Sequence, residues 1–504
     1  METVLEKVQQ YYRVKGLSES RTVLLGATAQ YTLAEVVERV ADVVAFLQKQ
    51  GVKRLALYAA NSPEWVIADL ACQEAGICLL PLPPFFSNSQ LHHCLQEAGV
   101  DALLSDSSLP VGLLSAVRGR AIVEQSTGLS LWRVVAQEDA QIPEGTSKIT
   151  FTSGSTGTPK GVCLDTRLQV AVGQSLAEAI GIADARHLCL LPLGTLLENV
   201  GGVYQTLLSG GCVEFLPADS LGFSGTGLDA ARLLASIEQV KPDTIILLPE
   251  ILKSLVQACD SGWLAPQSLQ FMAVGGAKVS PALIRAARCH GLPVYEGYGL
   301  SECGSVVSLN SRSADRIGSC GTPLPHHQLV ISQGEVIVSG HLFLGYLNDP
   351  QSWYPQQLAT GDLARLDRDG FLQIEGRRKN LLISSFGRNI NPEWIESEIL
   401  INPAITQCVV VGDARPFCTA LVFAAPEQAT DKDIQQWLDR TNHQLPDYAQ
   451  IRRWLRLPHP MDSQRGLWTA NNRPRRDAIA HHFAREIDQL YTLHAIHPAQ
   501  ETRP

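Results

Sequence analysis

Residues 149–162 read ITFTSGSTGTPKGV. The lead Ile149–Thr150–Phe151 is apolar and β-branched, the pattern of a buried strand. It runs into Thr152, Ser153, Gly154, Ser155, Thr156, Gly157 and Thr158, then Pro159, Lys160 and Gly161. Residues this small let backbone N–H groups close on an anion, and the hydroxyls and one lysine add donors. The stretch is read as a phosphate cradle. It is not a Walker A loop, which requires G-x-x-x-x-G-K-[ST]; here Lys160 stands between proline and glycine. A flexible Ser/Gly linker is the plainer reading. A linker needs neither a buried strand in front of it nor a single lysine behind Pro159.

On both sides of this stretch, short apolar runs alternate with helical patterns. RLALYAANSPEW (54–65) reads as strand and turn, EWVIADLACQEAG (64–76) as a helix stopped by Gly76, and ICLLPLPP (77–84) as a second strand. PDTIILLP (242–249) and LQFMAVGGA (269–277) read as buried strands, each followed by a helix. In SPALIRAARCHG (280–291), Ser280 is a plausible N-cap and Pro281 takes the first helical position. The alternation predicts an α/β fold: a large N-terminal domain of parallel-type sheets covered by helices, with ligands at the carboxyl ends of the strands. Near Gly376 the texture changes to short strands with glycine turns and a compact α+β pattern. A boundary at Lys379 divides the chain into 1–378 and a small, mobile domain, 379–504, of about 125 residues.

Composition narrows the function classes. The chain has 504 residues, 45% hydrophobic and 18% charged, with a net charge of −9. It can bury a large core, and its acidic balance argues against a nucleic-acid binder. Twelve cysteines without a C-x-x-C pair are expected to be buried thiols in a reducing cytoplasm. No signal-like start and no apolar run of the ~18 residues a membrane span needs are found, so a cytoplasmic protein is expected. Peripheral membrane contact stays open for an enzyme that uses lipid.

The decapeptide TSGSTGTPKG (152–161) closely resembles the signature of the adenylate-forming superfamily, the acyl- and aryl-CoA synthetases, adenylation domains and luciferases. Further blocks that resemble the family's follow in order: NSPEWVIADLACQEAGICLLPL (61–82), GYGLSE (297–302), GEVIVSGHLFLGY (334–346), TGDLARLDRDGFLQIEGRRKN (360–380) and SFGRNINPEWIE (385–396). The resemblance covers nearly the whole chain. It implies ATP, Mg²⁺ and CoA as cofactors, and it implies roles. Thr152 to Gly157 and Lys160 would hold the β- and γ-phosphates, with Lys160 also catalytic. Tyr298 would stack on adenine, with Gly299 and Ser301 beside the nucleotide. Gly275, Gly276 and Ala277 would wall the nucleotide from the acyl group. Glu302 would ligate Mg²⁺. Asp362 would accept from the ribose hydroxyls, and Arg377 would reach ribose or phosphate. Lys379 would be the hinge, and Gly387 would line the CoA tunnel.

The resemblance weakens in WTANNRPRR (468–476). Thr469 and Arg476 keep their places, but Asn472 replaces a glycine and Arg473 replaces the catalytic lysine. Arginine keeps the charge with a different shape and reach. Arg475 and Arg476 read as surface or packing residues. Ser301 stands for the usual threonine, and Thr195 stands where an aromatic residue or histidine is usual. The leading expectation is activation of a carboxylic acid, a fatty acid by the segment at 384–396, and its transfer to CoA. One alternative loads the acyl group onto the phosphopantetheine of an acyl carrier protein. The other, motivated by Arg473, is a non-catalytic protein that holds ATP or acyl-AMP.

Overall fold

The computed structural model describes residues 2–106, 109–135, 140–152, 159–224, 227–425, 427–462, 465–469 and 473–492. The chain divides into two compact units. One is Met1–Thr360 with Arg365–Ile374; the other is Gly361–Ala364 with Glu375–Pro504.

The first unit holds two large sheets. In the nine-stranded one, Val294–Tyr298, Phe271–Val274, Thr244–Leu247, Arg186–Cys189, Cys212–Phe215 and Thr22–Leu25 lie side by side and all parallel. In the eight-stranded one the parallel run is Lys148–Thr152, Cys78–Pro81, Arg54–Tyr58 and Ala102–Ser105. The expected parallel sheets are therefore present as cores. Both are extended at their edges by antiparallel strands, such as Gln30–Thr32 and Ser130–Val134. For Gln30–Thr32 the short connection from Thr22–Leu25 forces this, because a tight turn can join only antiparallel neighbours.

The predicted helices form for the expected local reasons. Pro63–Ala75 is capped by the Ser62 side chain and stopped by Gly76 in the left-handed region, φ 65°. Pro281–Cys289 begins with Ser280 accepting from the Ala282 N–H. Helix residues Leu233, Ile237, Leu252, Leu255 and Ile284 pack on strand residues Leu188, Ile245, Met272 and Val294 in one core. Beneath the other sheet lies a polar core that no sequence pattern announced. Lys148 Nζ contacts Asp69 Oδ1 at 2.9 Å and donates to Asn199 Oδ1 at 2.6 Å and Tyr204 Oη at 3.0 Å, all of it buried. Asn199 and Tyr204 sit on a π-helical turn, Asn199–Tyr204. Of the twelve cysteines, ten are buried and none is disulfide-bonded; Cys212 is half-buried and Cys289 exposed. Among the described residues no helix is long and apolar enough to cross a membrane.

The second unit is α+β. Strands Gln407–Val411 and Cys418–Phe423 are antiparallel, and Ile451–Arg456 adds to the latter in parallel. Period-two alternation sorts their side chains. Val410, Ala420 and Val422 join Ile395 and Ile434, from helices Pro392–Ile399 and Asp431–Asn442. Val409 and Leu421 join Leu467, Ile479 and Ile487 of the C-terminal segment.

Candidate functional site

Strand Lys148–Thr152 is buried over its first four residues and pairs antiparallel with Lys160–Leu164, the register closing at Thr152↔Lys160. The glycine-rich stretch lies in sequence between these two strands of a buried sheet. Ser153, Gly154, Ser155, Thr156 and Gly157 lie outside the described residues. At the start of the second strand, Lys160 is exposed, and its Nζ stands 5.4 Å from the centroid of the Tyr346 ring.

The second group is built by the nine-stranded sheet. Gly275, Gly276 and Ala277 leave the carboxyl end of Phe271–Val274, and Tyr298 ends the adjacent parallel strand Val294–Tyr298. This is the end of an open α/β sheet where ligands bind. Gly276 has φ 81°. Gly299 cannot carry a side chain, since a Cβ there would stand 1.7 Å from the Ser305 carbonyl oxygen. The chain from Gly299 thus comes back close on itself at Ser305, around the single turn Ser301–Cys303, which carries Glu302. Glu302 Oε1 accepts from the Tyr346 hydroxyl at 2.8 Å. Tyr346 therefore touches both Lys160 and Glu302. The sequence reading missed it, although it closes the quoted block GEVIVSGHLFLGY, where a tyrosine directly after glycine was the available signal.

Thr195 makes an ordinary turn: its hydroxyl donates to the Pro192 carbonyl at 2.8 Å, and it precedes the short helix Leu196–Glu198.

In the second unit Asp362 is buried, and its Oδ1 accepts from Arg377 Nε at 2.9 Å. The structure brings these two sequence candidates together. Lys379 lies in the turn Arg378–Asn380. Burial pushes its ammonium below the usual lysine range, as does the neighbouring Arg377, while Asp477, Asp362 and Glu393 pull it back. Gly387, φ 72°, turns the chain between the short strands Leu382–Ile383 and Asn389–Ile390.

Arg473 is exposed. Its N–H donates to Thr469 Oγ1 at 3.0 Å, and the Thr469 N–H donates to the Arg473 carbonyl at 2.7 Å. Trp468 and Pro474 form an antiparallel bridge below. Thr469 thus pins the backbone of Arg473. Arg476 proves to be a packing residue: its fork grips Glu396, Nη1 to Oε1 at 2.9 Å and Nη2 to Oε2 at 2.6 Å, with both groups largely buried. Glu396 Oε1 also accepts from the Val410 N–H at 2.7 Å. Burial raises the Glu396 carboxyl even beside the guanidinium.

Comparison with known proteins bears on the whole chain. The family model of the AMP-binding enzyme matches residues 13–347, and that of the AMP-binding enzyme C-terminal domain matches 379–495. The chain is similar to a long-chain-fatty-acid–CoA ligase of Mycobacterium bovis, 25% identical over 92% of this chain and 93% of that protein. It is also similar to a feruloyl-CoA synthase of an Amycolatopsis species, 28% identical over 78% of this chain and 82% of the relative. In fold it matches the solved o-succinylbenzoate coenzyme A synthetase of Bacillus subtilis in complex with ATP and magnesium ion. The TM-score is 0.74 at 24% identity, over 94% of this chain and 98% of that one. With a strand-borne lysine, a carboxylate at the sheet's carboxyl end and a family match over most of its length, the chain belongs to the AMP-binding enzyme family and is an enzyme of the adenylate-forming superfamily.

Proposed function

We propose that this enzyme, an AMP-forming acid–thiol ligase, activates a fatty acid as its acyl-adenylate and passes the acyl group to CoA. The observation that carries the reading is the convergence of Lys160 and Glu302 on Tyr346, where Lys160 opens the strand that follows the Gly/Ser/Thr stretch in sequence. A carboxylate is a poor acyl donor, because its leaving group would be oxide. In the first half-reaction a carboxylate oxygen attacks the α-phosphorus of ATP, and the bond to pyrophosphate breaks. In the second, the thiol sulfur attacks the acyl carbon, AMP departs with the electron pair, and the thiol proton passes to solvent.

Such phosphoryl chemistry asks a protein mainly for positioning and charge neutralisation. In this reading Lys160 and residues 152–157 hold the β- and γ-phosphates. Tyr298 stacks on adenine beside Gly299 and Ser301. Gly276 and Ala277 wall off the acyl group. Asp362, aligned by Arg377, accepts from the ribose. Arg473 contacts the α-phosphate. Lys379 is the pivot between the half-reactions, and Gly387 lines the path of the thiol. The donor set suits Mg²⁺, which takes one or two carboxylates and fills its shell with phosphate oxygens and water. Glu302 would hold it, and the ion would neutralise charge on the departing pyrophosphate.

The relatives divide between a fatty and an aromatic acid in their names. Aryl acids therefore belong in the same assay. Pyrophosphate release is followed with ATP, Mg²⁺ and a panel of straight-chain and aryl acids, with and without CoA or a carrier protein. The expected result is acid-dependent release with CoA-dependent turnover, strongest with fatty acids. Release with a carrier protein alone moves the acceptor to phosphopantetheine. No release with any acid overturns the enzyme reading and leaves a nucleotide-binding protein. Arg473→Lys should retain adenylation, while Arg473→Ala should lose about 10²-fold. Equal rates in all three would remove Arg473 from the chemistry.

A further inference from the structure

We propose that Tyr346 is a positioning residue of the adenylation step, orienting Glu302 through its hydroxyl and Lys160 through its ring face. The proposal rests on the reading of Glu302 and Lys160 given above. Tyr346 belongs to the two-residue strand Gly345–Tyr346, which pairs with the strand that starts at Lys160, in the register Tyr346↔Val162. Its backbone is held at both polar atoms. The N–H donates to Ser352 Oγ at 2.8 Å, and the carbonyl accepts from Trp353 Nε1 at 2.9 Å. The edge of Phe343 packs on its ring, with centroids 5.0 Å apart. A phenol fixed in this way is a rigid reference for two flexible side chains.

Each contact has a distinct consequence. The hydroxyl at 2.8 Å engages Oε1 of Glu302 and sets the plane of the carboxylate, so that Oε2 can be presented to a cation in a defined direction. A carboxylate that ligates a metal is commonly oriented by such a donor, and losing the donor typically costs 10- to 100-fold in metal affinity. The ring face, 5.4 Å from Lys160 Nζ, attracts the ammonium through its quadrupole and draws it toward the residue whose hydroxyl holds Glu302. Packing alone would need the ring and not the hydroxyl. Phenylalanine would fill the same volume without leaving a polar atom to satisfy.

The test measures ATP binding by calorimetry across a Mg²⁺ series, without an acid substrate, alongside the Mg²⁺ dependence of pyrophosphate release. Tyr346→Phe is expected to raise the Mg²⁺ concentration for half-maximal effect about 10-fold in both. Its ATP affinity in EDTA should stay unchanged, because the ring under Lys160 remains. Tyr346→Leu should also weaken binding in EDTA. In a Glu302→Gln background Tyr346→Phe should have no further effect on Mg²⁺ dependence. An unchanged Mg²⁺ dependence in Tyr346→Phe, or an effect that persists in the Glu302→Gln background, overturns the positioning role while leaving the proposed reaction standing. An unmodified chain that binds no ATP overturns the reading beneath it.

Discussion

His326 and His327 lie side by side, their ring centroids 4.1 Å apart, and His327 Nε2 meets the Cys303 carbonyl at 3.2 Å. Burial lowers both imidazoles, with further lowering by neighbouring histidines: His326 to about 3 and His327 to about 4, against an ordinary 6.5. Both are neutral in the folded chain at pH 7. A histidine whose folded value is depressed contributes stability that is complete above the unfolded value and is lost as pH falls through it. The loss should run from about pH 6.5 to 4 and amount to about 3 kcal/mol for one such ring at pH 4. In thermal unfolding of the unmodified chain this fall is superimposed on the opposite trend of Glu296, which burial raises to about 7, so the histidine share is read by difference against a variant. His326→Gln should make that fall shallower; an identical slope would show that the pair remains exposed to solvent protons. The pairing was not foreseeable from the dipeptide. Two adjacent histidines usually diverge, and it is the bend before strand His327–Ser332 that lets these two rings lean together.

At the scale of elements, the Asp69–Lys148 pair joins the helix Pro63–Ala75, the strand that precedes the glycine-rich stretch, and the π-helical turn. Burial lowers the Lys148 ammonium and Asp69 raises it again. Removing one partner of a buried pair leaves the other uncompensated, at about 3–5 kcal/mol. Asp69→Leu should therefore lower Tm by several degrees, and adding Lys148→Met should recover much of the loss. Equal loss in the single and double variants would show that the site's stability comes from packing and not from the pair. The strand and helix were legible, because Ile149–Phe151 and the Ser62 cap act within a few residues. The pair was not, because its charge and its partners lie on elements far apart in sequence, and a lysine four residues before a glycine-rich loop reads as a surface charge. Tyr346 escaped for the same reason: Glu302 and Lys160 are its neighbours only through the sheet.

Across the whole molecule, two compact units meet in sequence close to Lys379, which lies in a single short turn. If that turn is the pivot between the half-reactions, Lys379→Pro should separate them, because proline fixes φ near −65° and removes the N–H. One half-reaction, followed as pyrophosphate release or as thioester formation from supplied acyl-adenylate, should stay within several-fold. The other should fall by more than about 10²-fold. An equal small change in both would remove the pivot from Lys379. The sequence by itself determined the elements, the α/β class and the family. Hydrophobic period, caps and glycine stops act locally, and the family blocks are continuous stretches of chain. Only the tertiary structure decided which side chains meet: Tyr346 with Glu302 and Lys160, Arg377 with Asp362, Arg476 with Glu396. It also decided that the parallel sheets carry antiparallel edges. These contacts are set by sheet register and burial, which no window of sequence contains.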